Sequence, residues 1–148
     1  MASVDELVKT LGQTTEEGLS QFRRLVAESK IVPGHFGPRE ELCKLVWWHQ
    51  ATADGIESVG SGGQPYAIHA SDDEMDARAV GRQAGKTVEQ LATAAEGHHQ
   101  RLVKAAANIS DPNVTVFIHD GGREDSAVQR LEAMTKRWQD TLVDIKAL

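Results

Sequence analysis

The 148-residue sequence predicts an all-α fold: an up-down four-helix bundle with a long crossover loop and at most a short extended segment before the last helix. Three observations carry this. Apolar residues recur at alternating spacings of three and four along long stretches, the period of one buried helical face. The stretches open on capping signals, and clusters of glycine and proline separate them.

The first helix is expected over residues 4 to 29, where Val4, Val8, Leu11, Thr15, Gly18, Phe22, Leu25 and Ser29 alternate by four and three. Ser3 and Glu6 have capping-box spacing at its start, and Gly18 inside the stripe predicts a closely approaching second helix. Pro33 and Gly34 end this helix, and so short a connection favours antiparallel neighbours. The second helix is expected over 38 to 59. Gly37 serves as N-cap, Pro38 suits the first position, and Glu40 and Glu41 complement the positive first turn. Leu42, Leu45, His49, Thr52, Ile56 and Val59, widened by Val46, Ala53, Trp47 and Trp48, predict burial around much of its circumference.

The glycine-rich GSGGQPYAIHA that follows reads as a flexible loop, long for a bundle connection and therefore a place to look for function. Ser71 with Glu74 opens a third helix over 72 to 108 that breaks near Gly85, and Thr87 with Gln90 caps its continuation. Val88, Leu91, Ala95, His98, Leu102 and Ala105 form its inward stripe, and Asp111 with Pro112 stops the run. VTVFI, residues 114 to 118, is a short extended segment ending in a turn at Asp120, Gly121 and Gly122. The last helix is expected over 125 to 147, with its seam on Val128, Leu131, Thr135, Trp138, Leu142 and Ile145. Core positions should include Leu11, Phe22, Leu25, Leu42, Leu45, Leu91, Leu102, Leu131, Trp138 and Leu142.

Composition narrows the function. The length suits one domain over residues 1–148, large enough to fold without a disulfide or metal. A net charge of −6 argues against a general nucleic-acid or anionic-membrane binder, since both need a basic face. Cys43 is the only cysteine, and MASVDELVKT lacks the basic and apolar regions of a signal peptide, so a cytoplasmic location is expected.

His49 and His98 both fall inside apolar seams, a placement that suits either metal binding or proton transfer, or simply buried polar residues satisfied by neighbouring groups. The second reading is favoured, because two histidines with no adjacent carboxylate are a thin metal signal. His99 and His35 are expected to be exposed, and His69 and His119 to be solvated loop residues without a catalytic role. Cys43 reads as a buried structural thiol, because Lys44, beside it in sequence, points about 100° away and is badly placed to activate it. Trp47, Trp48 and Trp138 are core aromatics or, with Tyr66 as a lid, the wall of a pocket. GSGGQ is followed by Pro65 rather than Lys-Ser or Lys-Thr, so no phosphate-binding loop is present, and no Ser-His-Asp pattern or zinc cysteine pair appears.

The order of elements, with REELCKLVWWH on the second helix, DEMDARAVGRQAG opening the third and RLEAMTKRW on the last, resembles the DinB-like four-helix bundles. Within that group it looks most like the branch containing the ClbS/DfsB proteins. Many members of the wider superfamily hold a divalent metal with one histidine on helix two and a His-x-x-x-His pair on the last helix. Superposing the pattern on Leu45, Trp48 and Trp138 puts those ligands at Lys44, Arg137 and Thr141, two cations and a poor zinc ligand. The resemblance therefore implies a lost metal site and no cofactor. It also implies that Lys44, Arg137 and Thr141 cluster, with a carboxylate such as Asp140 or Glu41, or a bound anion, neutralising the charges.

Three functions are compatible with these readings. The leading one is a metal-free member that binds a small reactive molecule, with hydrolysis or modification as its extension, as in resistance to a reactive natural product. Lys44, Trp48, His49 and Tyr66 would be its contacts, joined by His98, Arg137, Trp138 and Thr141; no catalytic residue is assigned. The alternatives are a metal-dependent thiol transferase or isomerase using an unanticipated set such as His49 and His98, and a non-catalytic bundle that dimerises or binds a partner.

Overall fold

The computed structural model describes residues 3–32 and 36–148. The expectations for Pro33, Gly34 and His35 lie outside the described residues. The fold is predominantly helical. Helix α1 spans Val4–Ala27 and α2 spans Pro38–Gly60. Strand β1 is Tyr66–Ala67, and helices α3 and α4 follow at Asp72–Arg82 and Val88–Ala106. Strands β2 (Thr115–Ile118) and β3 (Glu124–Ser126) precede α5 (Ala127–Lys146).

The capping chemistry works as the sequence suggests. The hydroxyls of Ser3, Ser71, Thr87 and Ser126 accept from the amides of Glu6, Glu74, Gln90 and Gln129, each three residues on. Gly37 has no side chain to offer, so the Glu40 carboxylate instead accepts the Gly37 N–H at 2.8 Å. The third helix divides around Gly85, whose φ of +81° belongs to the left-handed region. The Gln83 side chain donates to the Cys43 carbonyl at 2.8 Å, and Arg39 donates to the carbonyls of Gln83 and Lys86, which fastens the break to α2.

The four long helices pack in the cyclic order α1, α4, α2, α5, so each has two neighbours. This corrects the expectation that α1 and α2 are neighbours. They meet only weakly across the diagonal, because α4 and α5 each lie between them. All ten expected core residues are buried. Gly18 lies where a helix approaches closely: a Cβ there would sit 2.7 Å from Cε3 of Trp138 on α5.

The β structure exceeds the single extended segment read from sequence. β2 pairs in parallel with β1, Tyr66 opposite Phe117, and antiparallel with β3, Phe117 opposite Asp125. A strand of two or three residues is too short to carry a period-two pattern, so its pairing is decided by tertiary position rather than local sequence. The sheet packs on α2 and α5.

Candidate functional site

The HDGGRED segment turns sharply. Gly121 and Gly122 have φ of +90° and +95°, and the His119 amide donates to the Arg123 carbonyl at 2.8 Å. The hairpin thereby brings His119 beside Asp125 on β3, and α5, starting two residues later, adds Arg130. The three side chains are 8%, 6% and 2% exposed. His119 Nε2 lies 2.8 Å from Asp125 Oδ2, and Arg130 Nη1 donates to the same oxygen at 3.3 Å. With the imidazole proton on Nε2, facing the carboxylate, Nδ1 is the acceptor nitrogen. That Nδ1 is buried and without a hydrogen-bond partner.

Arg130 stacks over Phe117, its Cζ 4.8 Å from the ring centroid, and lies 5.7 Å from that of Trp48. Burial pushes its pKa down to about 10; Asp125 opposes that shift and the nearby Arg137 adds to it. Its Nε is buried without an acceptor. Arg137, two turns along α5, covers Trp48 at 4.2 Å and lies 3.5 Å from Asp72 and 3.9 Å from Asp76. Asp76 in turn accepts the Trp48 indole N–H at 2.6 Å. Asp72 and Asp76 are one turn apart on α3, so both face α5. Asp72, His119, Arg123, Asp125, Arg130 and Arg137 surround a hollow of about 400 Å³, within the size range of small-molecule sites but more polar than most.

Of the residues singled out from the sequence, Arg137 lines this hollow and Trp48 lies beneath it, fully buried. Lys44 borders a separate hollow with Phe36, Asp73 and Asp76, its Nζ 3.2 Å from Glu41 and 4.8 Å from the Phe36 ring centroid. Glu41 neutralises Lys44, but Lys44 and Arg137 line different hollows, so the two cations do not share one site as the resemblance implies. Asp140 does not serve Arg137; it binds Lys136 at 2.8 Å, and Asp72 and Asp76 take its place. Thr141 is half-buried one turn beyond Arg137. Tyr66 stacks on Phe117 at 5.8 Å, and burial raises its phenol pKa.

His49 and Trp138 lie in the sealed core. The Trp138 indole donates to His49 Nδ1 at 3.0 Å, so the His49 proton sits on Nε2 and points at His99 Nδ1, 3.0 Å away. His99 must then carry its own proton on Nε2. Burial drives the His49 pKa down to about 3, with His99 and His98 adding to it. The inward partner of His49 is therefore His99, expected at the surface, and not His98. Gly12 on α1 explains the exchange: a Cβ there would lie 2.6 Å from His99 Nε2. His98 Nδ1 is buried and unpartnered elsewhere on α4. Cys43 is buried, and its thiol pKa is raised by that burial, as suits a structural thiol.

At the three positions where the resemblance would put a metal, the donors do not fit one, because Lys44 and Arg137 are cations already held by carboxylates. Among the described residues no group of three or more His, Cys, Asp or Glu side chains is arranged to hold a metal ion. No helix of the described residues is long and apolar enough to cross a membrane. Comparison with known protein families, with curated proteins and with solved structures finds no match.

His119, expected to be a solvated loop residue, is instead buried, because the hairpin folds it against Asp125, and nothing in the local sequence singles out Asp72, Asp76 or Asp125. One local signal was available. Ala127, Arg130, Met134 and Trp138 follow one another by three, four and four, which places an arginine on the buried face of α5.

Proposed function

We propose that this chain is a metal-free, DinB-like four-helix bundle of the ClbS/DfsB type that binds a small reactive molecule in the hollow between α3, the β2–β3 hairpin and α5. The closed cycle of four long helices, in which α2 and α4 are neighbours and the α1-to-α2 and α4-to-α5 connections cross the diagonal, supports the bundle reading. The His119–Asp125 pair, buried at the wall of the hollow with Nδ1 unpartnered, carries the functional one.

The chemistry that follows is hydrolysis with His119 as the proton shuttle. As water attacks an electrophilic carbon, a C–O bond forms and the water proton passes to His119 Nδ1. The bond to the leaving group breaks, and the imidazolium returns the proton to that group. Asp125 stabilises the transient positive charge on the ring, and Arg130 keeps the carboxylate in place. No net oxidant or reductant is needed.

Incubation with styrene oxide and with phenyl acetate, followed by chromatography of the remaining reagent, tests this reading. General acid–base catalysis typically contributes ~10²–10⁴-fold, so wild type should consume one of them at least ~100-fold faster than His119→Gln. Equal rates for both proteins on both reagents would overturn it.

A further inference from the structure

Arg130 is poorly satisfied for so buried a cation. A guanidinium has five N–H donors, yet among the described residues it makes one hydrogen bond, at 3.3 Å, and its Nε finds no acceptor. The single carboxylate it reaches, Asp125, also faces His119 and Arg123. Arg137 has the same shortage in milder form, its two carboxylate contacts lying at 3.5 and 3.9 Å. Both arginines share one face of α5, two turns apart, with the small Ala133 between them on the wall of the hollow.

Asp72 adds the second observation. It stands in the first turn of α3 with its side chain half exposed. One oxygen is 3.9 Å from His119 Nδ1 and the other 3.5 Å from Arg137. Neither distance is a good hydrogen bond, so this carboxylate is loosely held between two groups that face the hollow.

We infer that the hollow takes the oxyanion end of a small molecule, a carboxylate or a phosphate group, held by Arg130 and Arg137 in the position that Asp72 partly fills. The inference rests on the proposed function only for the location of the site. An oxyanion against the Arg130 guanidinium would supply acceptors that this cation lacks and set the remainder of the molecule beside His119. Asp72 then acts as a tethered competitor that the incoming anion displaces.

Thermal shift and calorimetric titration of the whole chain with acetate, benzoate and inorganic phosphate, at ionic strength held constant with sodium chloride, test it. Saturable binding above the chloride control is expected. Arg137→Gln should weaken it at least tenfold and Asp72→Asn should tighten it at least threefold. Both side chains are partly exposed, so these variants should fold, which circular dichroism verifies. Tighter binding of benzoate than of phosphate assigns a carboxylic acid, and the reverse assigns a phosphate ester. No saturable binding, or identical affinities in wild type and both variants, overturns the inference. Turnover of an electrophile without binding of any of these anions sinks this inference alone, whereas anion binding without turnover sinks the hydrolytic reading alone.

Discussion

Acidification should destabilise this fold earlier than its carboxylates would, because His49 is folded in the neutral form. Its pKa is held near 3 by burial, against about 6.5 in the unfolded chain. The unfolded state therefore binds the proton first, and stability that is complete above about pH 6.5 is lost as the pH falls towards 3. One proton taken up on unfolding costs about 1.4 kcal/mol per pH unit, so His49 alone removes about 2 kcal/mol between pH 7.5 and pH 5. His98 and His99 are shifted in the same direction by burial and add to the loss. Urea unfolding at pH 7.5, 6 and 5, followed by tryptophan fluorescence, measures it through the midpoint at constant slope. His49→Gln supplies the control, since glutamine can accept from Trp138 and donate to His99 without titrating. It should be less stable at pH 7.5 but lose about one proton's worth of pH dependence. Wild-type stability at pH 5 within about 0.5 kcal/mol of its value at pH 7.5 would refute the assignment.

Three further predictions address packing and the buried charges. Gly97→Ala, in α4 with open space at its Cβ, should stabilise the protein by up to about 1 kcal/mol through helix propensity. Gly18→Ala gains the same propensity but drives a methyl into the Trp138 ring, so it should cost about 1–2 kcal/mol net; thermal denaturation of both separates the two effects. Asp125→Asn removes the charge shared by Arg130 and His119 and should cost about 3–5 kcal/mol, read from chemical denaturation, with a loss below 1 kcal/mol counting against the buried pairing.

The helices were legible because their information is local. Ser71 with Glu74 and Thr87 with Gln90 mark starts that no tertiary contact has to specify, and Gly18 within an apolar stripe announces a close neighbour without naming it. The sheet was not legible, since Tyr66–Ala67 and Glu124–Ser126 acquire their pairing from Phe117 and Ile118, which lie far from Tyr66 in sequence. His98 and His99 differ by one residue, about 100° of helix. The seam through Leu91 and Leu102 points to His98, and only the space left by Gly12 on another helix selects His99. The polar hollow has the same character. Asp72, His119, Asp125 and Arg130 come from three elements, and charged residues taken singly read as surface. Arg137 was reached through the resemblance, and its position over Trp48 is a tertiary fact that spacing does not contain.

The most direct test of the account is nitrogen NMR of the histidine side chains during titration with benzoate, phenyl acetate and styrene oxide. The free protein should show His119 protonated on Nε2, and at least one of the three should move its Nδ1 signal saturably while His49 and His99 stay unchanged. A His119 signal that none of them perturbs, or a response seen first at His49 and His99, would contradict a site at the hairpin and place it in the helical core.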